Sequence, residues 1–382
     1  MPCDSVARRP FSAADVGPHF RQAGELWWFL AVMNSSHDDG QRIGVQFSVF
    51  RKDTTGACAD SADNLVVSTA AIAHGGGFHQ ATRLFPTLKH ARLQSQPFAL
   101  DFDDGQWGIT SASNSSASPT QQQRLVVASG LALDGTRLSL NLSLMAPSAS
   151  VLMADRGFGD LNGTLLAHIS KPRQPATGTV TFGGRSAALP VHGDFWLQHI
   201  WFSTPHGAAF PQWNWFNVQF HNGWNFQMVA LGNGTSTTVQ ELGDGACLGD
   251  VGSYGNLVEP KSGRVRRLSV GVGADVCYRV LRRWTDPRCP HIHYPVVSSI
   301  SIRPAVPGAG GVAQPAGGSS WSTWPREVEM VVSALQYDNV VRPPLPRWSG
   351  YCAKAYYEGA SDVKGNFDGE PVGGVGFIEH EW

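Results

Sequence analysis

The residues of this sequence best placed to do chemistry are indoles and side-chain amides set on short apolar segments. Trp213-Asn214-Trp215-Phe216-Asn217-Val218-Gln219-Phe220 runs into Asn222-Gly223 and then into Trp224-Asn225-Phe226-Gln227-Met228. Successive residues of an extended strand point to opposite faces. Trp213, Trp215, Asn217 and Gln219 therefore share one face, and Asn214, Phe216, Val218 and Phe220 the other. Across the turn, Asn225 and Gln227 alternate with Trp224, Phe226 and Met228. An aromatic floor with amide handles suits an oxygenated polyene, because rings cover apolar carbon while amides meet oxygen.

Other chemistries find weaker support. Cys289-Pro290-His291-Ile292-His293 offers thiol and imidazole, good zinc ligands, but no fourth ligand accompanies them, so no metal is expected. His74-Gly75-Gly76-Gly77 looks like the oxyanion loop of a lipase, yet no G-x-S-x-G elbow supplies a nucleophile. Gly271-Val272-Gly273 lacks the third glycine and the helix of a dinucleotide site. The expectation is an activity that uses no cofactor.

Composition narrows the partners. Among 382 residues, 29 Lys and Arg nearly cancel 30 Asp and Glu, and no basic stripe is visible, which argues against nucleic acid. No apolar run is long enough for a membrane span. A hydrophobic small molecule is the expected partner. The first twenty residues hold no apolar signal-like stretch, so a cytoplasmic location is expected. Five N-x-S/T sequons, at Asn34, Asn114, Asn141, Asn162 and Asn233, leave a secretory route open. The six cysteines form no CxxC pair and are sparse for a disulfide scaffold.

Strand signals dominate the elements that must carry these residues. With 43 Gly and 24 Pro scattered throughout, the chain suits short strands joined by turns. LWWFLAVM and RIGVQFSVF form a hairpin around Asp39-Gly40, and another spans Leu131 to Met145 around Asp134-Gly135. Asn222-Gly223 gives the sharpest hairpin, since both residues tolerate positive φ. Residues 110–123 and 304–325, rich in small polar residues, Gly and Pro, are expected to be loops.

An internal repeat organises the whole. Pro190-Val-His-Gly-Asp-Phe-Trp-Leu-Gln-His-Ile-Trp201 lies over Pro371-Val-Gly-Gly-Val-Gly-Phe-Ile-Glu-His-Glu-Trp382 without a gap, matching Pro, Val, Gly, His and Trp. Each half also opens alike, with Trp27-Trp28-Phe29 and Trp213-Asn214-Trp215-Phe216. Two copies of one β-unit follow, here 1–203 and 204–382. A β-unit of this size hides its edge strands completely when the sheet closes into a barrel. The predicted fold is therefore all-β, with two tandem antiparallel β-barrels.

The run ELWWFLAV…DDGQRIGVQFSVFR, together with PVHGDFWLQHIW, WNWFNVQFHNG, HYPVVSSISIRP and YYEGASDVKGNFDGEPVGGVGFIE, resembles the ordered signatures of the carotenoid 1,2-hydratase/AttH-like family. The resemblance covers most of residues 24–382. It implies paired lipocalin-like barrels. The family includes hydratases of carotenoid double bonds and fungal enzymes that close decalin rings by [4+2] cycloaddition. Carried over by position, the resemblance implies catalytic roles for His199, Trp201 and Asn214. Here Gln198 and Ile200 replace the acids flanking that His, and Asn214 replaces an Asp.

Asn and Gln deliver no proton, so hydration loses its expected acids. A neutral aromatic cavity instead favours a shape-templated cyclisation or isomerisation of a terpenoid or polyketide polyene, Diels–Alderase-like, because folding a floppy chain is largely an entropic task. Trp28, Gln46, Trp196, Gln198, Trp213, Trp215, Asn217, Gln219, Phe226 and Tyr357 are the expected substrate-binding residues. Alternatives are hydration of a carotenoid or terpenoid double bond, and non-catalytic carriage of a lipid or pigment. His199 also reads as a core histidine, which its repetition at His380 favours. Glu358 and Glu379 read as barrel-mouth or inter-strand residues.

Overall fold

The computed structural model describes residues 6, 11, 13–36, 41–53, 58, 64–75, 77–85, 91–95, 97–111, 123–131, 135–145, 151–152, 157–161, 164–203, 213–232, 247–249, 252–260, 262–303, 324–342 and 356–381. Apart from a 3₁₀ turn at Ala13–Val16, every described element is a strand.

The first sheet comprises β1 (Gly24–Ser35), β2 (Arg42–Asp53), β3 (Asn64–His74), β4 (Gly77–Phe85), β5 (Ala91–Ser95), β6 (Phe98–Phe102), β7 (Trp107–Ser111), β8 (Gln123–Leu131), β9 (Arg137–Leu144), β10 (Val151–Leu152), β11 (Phe158–Leu161), β12 (Thr164–Thr181) and β13 (Leu189–Phe202). Its main path runs β4-β3-β2-β1-β13-β12-β9-β8-β7-β6-β5. The second sheet comprises β14 (Trp213–Phe220), β15 (Asn225–Leu231), β16 (Tyr254–Val258), β17 (Val265–Ser269), β18 (Val276–Thr285), β19 (His293–Ile302), β20 (Val328–Ala334), β21 (Val340–Val341), β22 (Tyr356–Phe367) and β23 (Glu370–Glu381). Its path is β17-β16-β15-β14-β23-β22-β20-β19-β18. Both curl antiparallel, so the fold is all-β with two tandem lipocalin-like barrels.

By compactness, unit 1 takes Met1–Phe210 with Asp338–Ala360, and unit 2 takes Pro211–Tyr337 with Ser361–Trp382. Within unit 1, Gln80 fastens the 338–342 segment: its amide donates to the Arg342 carbonyl at 2.9 Å and accepts from the Arg342 N–H at 3.0 Å.

Local chemistry explains the strands. β9 alternates, with Leu138, Leu140, Leu142 and Leu144 buried while Arg137 and Asn141 are exposed. The Asn222-Gly223 turn forms as expected between β14 and β15, with Gly223 at φ 91°. The turn residues Asp39-Gly40 and Asp134 lie outside the described residues. So do 112–122 and 304–323, most of the two expected loops. At their margins Thr110 and Ser111 finish β7 and Gln123 begins β8, because pairing in register extends both strands past the polar run.

The repeat is visible in the pairing. β13 lies between β1 and β12, and β23 between β14 and β22. In register, Trp27 faces His199 and Trp28 faces Gln198. Asn214 faces His380 and Trp215 faces Glu379 in the same way.

The interior face of unit 1 is a continuous buried cluster that includes Trp27, Phe29, Phe47, Trp107, Phe195 and Leu197. In unit 2 the interior face of β14 carries Phe216, 5.0 Å from the Tyr278 ring, and Phe220, 4.9 Å from Phe367. Strands β1, β2, β14 and β15 are buried on both faces over most of their lengths, a pattern that makes them read as unbroken apolar runs. Cys247 and Cys277 form a disulfide, and Cys58 and Cys289 are disulfide-bonded too. Sequence spacing alone had shown no such pairing, because the partners meet through the sheet.

Candidate functional site

The non-interior face of each sheet gathers most of the expected binding residues. In unit 1, Trp28 stands opposite Gln198 on β13 and Ser48 on β2, while Leu30 stands between Trp196 and Gln46. All are buried. The Gln46 amide reaches the Tyr356 hydroxyl at 3.5 Å. Tyr356 was not singled out from sequence; Tyr357, which was, is fully buried and pairs with Val340. Gln46 Oε1 and Gln198 Nε2 have no hydrogen-bond partner among the described residues. Leaving such a group desolvated costs about 1–3 kcal/mol, so these atoms mark a face suited to meeting polar atoms of a ligand.

Unit 2 shows the same face more fully developed. Asn217, Gln227 and Asn256 line up across β14, β15 and β16, and Gln219 pairs with Asn225 one step along. Asn217 Oδ1 accepts the Phe377 N–H at 3.0 Å, whereas its Nδ2 has no partner among the described residues. Trp215 stands opposite Glu379. The indole N–H of Trp213 donates to Glu379 Oε1 at 2.9 Å. Burial pushes the Glu379 carboxyl up to about 7, against the opposing Trp213 hydrogen bond. Near neutral pH this face therefore presents a partly protonated carboxylic acid beside an indole and a row of amides. Alignment of the two copies gave the available signal, since Glu379 stands where the first copy has Gln198.

Asn214 and Phe226 lie on the interior face instead, Asn214 opposite His380 and Phe226 beside Val218. His199 and Trp201 likewise belong to the interior side of unit 1. His199 is fully buried; its Nδ1 is 2.9 Å from the Asp15 carbonyl oxygen and its Nε2 is 2.8 Å from Glu25 Oε1. A carbonyl only accepts, so Nδ1 donates and a proton is shared between Nε2 and Glu25. Glu25 Oε2 accepts from Arg51 at 3.1 Å, with both side chains fully buried. His19 contacts Glu25 and Asp15 and stacks on Trp201 at 4.0 Å. Burial alone would raise Glu25, but His19, His199 and Arg51 outweigh it and hold the carboxyl well below its ordinary range. For His19, burial would lower the imidazole, but Glu25 and Asp15 raise it on balance.

Glu25, His19, Asp15 and Arg51 were not picked out from sequence, because the segment before β1 and the two strands β1 and β2 bring them together around His199. His19, Glu25 and His199 place ligand-type atoms within 4.8 Å of one another. Glu25 already binds two imidazoles and a guanidinium there, which gives an ion-paired strut rather than a cation cage. Cys289, being disulfide-bonded, offers no thiolate to the nearby histidines.

An AttH-like family model matches residues 5–307. The chain belongs to the AttH-like family. Among solved structures, this AttH-like chain is similar to an AttH homologue of Nitrosomonas europaea, at 18% identity over 100% of this chain and 98% of that one, with a TM-score of 0.69. It is also similar to kievitone hydratase from Nectria haematococca, at 14% identity over 100% of this chain and 96% of that one, with a TM-score of 0.64. Identities this low establish the shared fold. No curated protein matches the sequence. No described helix is long and apolar enough to cross a membrane.

Proposed function

We propose that this AttH-like chain is an enzyme that modifies a hydrophobic, oxygenated, unsaturated small molecule by acid-assisted addition of water to a carbon–carbon double bond. The observation that carries this reading is Glu379, a buried carboxyl raised to about 7 on the face that also holds Trp215 and the amide row. The sequence had removed the expected acids at Gln198, Ile200 and Asn214; Glu379 supplies one from the second copy. Its proton adds to one alkene carbon, and the indole face of Trp215 stabilises the cation. Water bonds to the other carbon and returns a proton to the carboxylate, so the acid is regenerated. The amides orient the substrate's oxygens.

A second reading, cofactor-free [4+2] cyclisation, draws on the uncommitted hydrogens of Asn217 Nδ2 on the amide face of unit 2, which would polarise a dienophile carbonyl. Turnover in heavy-oxygen water separates the two. Kievitone, the compound in the neighbour's name, and linear polyenes are the first substrates to try. Hydration places the label in product, gives a rate that falls as pH rises through about 7, and loses roughly 10²–10⁴-fold in Glu379→Gln. Unlabelled product of unchanged mass, with a flat pH profile in both proteins, would overturn hydration in favour of cyclisation. Unaltered ligand recovered from a bound complex would instead identify a carrier.

A further inference from the structure

Two of the five sequon asparagines fall among the described residues, and both face solvent. Asn34 ends the buried run Trp27–Met33 of β1 as an exposed residue, and Ser36, its sequon hydroxyl, is exposed as well. Asn141 sits mid-strand in β9, on the outward side of an alternation whose inward members are core leucines. Its Oδ1 accepts from Nε and Nη2 of Arg124, each at 3.2 Å, so both bonds use the oxygen and neither uses the amide nitrogen. Strand alternation could as well have turned either asparagine into the barrel, where no sugar fits.

The cysteines point the same way independently. Cys247 and Cys277, 30 residues apart, are joined with Cα atoms 4.9 Å apart, and Cys58 and Cys289 are also in disulfides. No described cysteine is free. Structural disulfides form and persist in oxidising compartments and are rare where glutathione keeps thiols reduced.

From these two observations we infer that the chain matures in an oxidising secretory compartment and carries N-linked glycans at Asn34 and Asn141. In that step the side-chain amide nitrogen bonds to the anomeric carbon of a lipid-pyrophosphate-linked oligosaccharide. The nitrogen loses a proton and the lipid pyrophosphate departs. The host's transferase supplies the donor. Both sites are exposed on the outward side of strands, where a glycan meets solvent and displaces no core residue.

Peptide mapping of the native protein, isolated from the cells that make it, tests this directly. The expected result is amidase-sensitive glycopeptides at Asn34 and Asn141, together with no thiol reactivity before reduction. Ser36→Ala and Ser143→Ala, made in a secreting eukaryotic host, should each remove one glycan while leaving tryptophan fluorescence unchanged. Unmodified asparagine at both positions in native protein, or thiols that react without reduction, overturns the inference. These readouts do not depend on turnover, so they stand or fall separately from the hydration reading.

Discussion

His199 and His380 close the same motif in the two units and stand at the same place in their sheets, opposite Trp27 and Asn214. Their surroundings differ in kind. His199 shares a proton with Glu25, which is tied to Arg51 and His19, and its ring stacks on Trp27 at 4.7 Å. His380 donates from Nε2 to the Pro295 carbonyl at 3.0 Å and meets Phe216 edge-on; burial pushes it down to about 3, so it is neutral. One position along, the contrast inverts. Unit 1 has the neutral Gln198 where unit 2 has the acid Glu379. Duplication let the two copies divide the ionisable groups: unit 1 keeps its charges on the interior side as a strut, and unit 2 keeps its titrating acid on the amide face.

Breaking the strut should produce the largest effect. Glu25→Gln leaves the Arg51 guanidinium buried without its carboxylate and should cost roughly 3–5 kcal/mol, read as a lowered denaturant midpoint. The loss should be confined to unit 1, so hydrogen exchange ought to rise in β1, β2 and β13 before β14 and β15. A uniform loss across both sheets would contradict the division.

The pH dependence sharpens the comparison, because the signs are opposite. Glu25 titrates lower in the folded chain, so its stabilisation is present above 4.5 and is lost as pH falls through the folded value. His19 titrates higher, so its contribution is full below 6.5 and fades as pH rises through its folded value. Glu379 rises from 4.5 to about 7, so the folded state holds an extra proton in that window and stability falls as pH climbs through it, by about 3 kcal/mol in all. Glu379→Gln should remove that slope and stabilise unit 2 above pH 7. Chemical denaturation of both proteins at pH 5 and pH 8 measures it; parallel curves would show that Glu379 is ionised throughout.

The smallest effect belongs to His380. Replacing it with Phe removes one neutral hydrogen bond and should cost about 1 kcal/mol. His199→Phe strips Glu25 of a partner and should cost more. Equal losses in thermal melts would mean that the two histidines are equivalent after all.

Much of the architecture was legible because it rests on local rules. Asn222-Gly223 forces a hairpin, leucines at every second place from Leu138 to Leu144 force an inward face, and the Pro190/Pro371 repeat forces two like units. Strand alternation also placed Trp215, Asn217 and Gln219 together. The site was legible only in part. His199 and Trp201, carried over by resemblance, lie on the interior side, away from Gln198 and Trp196. Glu379 reads from sequence only as a barrel-mouth or inter-strand residue, since nothing in its neighbours shows that Trp213 will hold it or that burial will raise it to about 7.

The amino-acid order by itself determined the strand periodicity, the turns and the duplication, because these depend on residues within a few places of one another. Tertiary structure alone decided which polar groups share a face, which cysteines join, and which acid titrates near neutral pH. Register between strands distant in sequence, and the desolvation it brings, set those outcomes; no short window of sequence contains them.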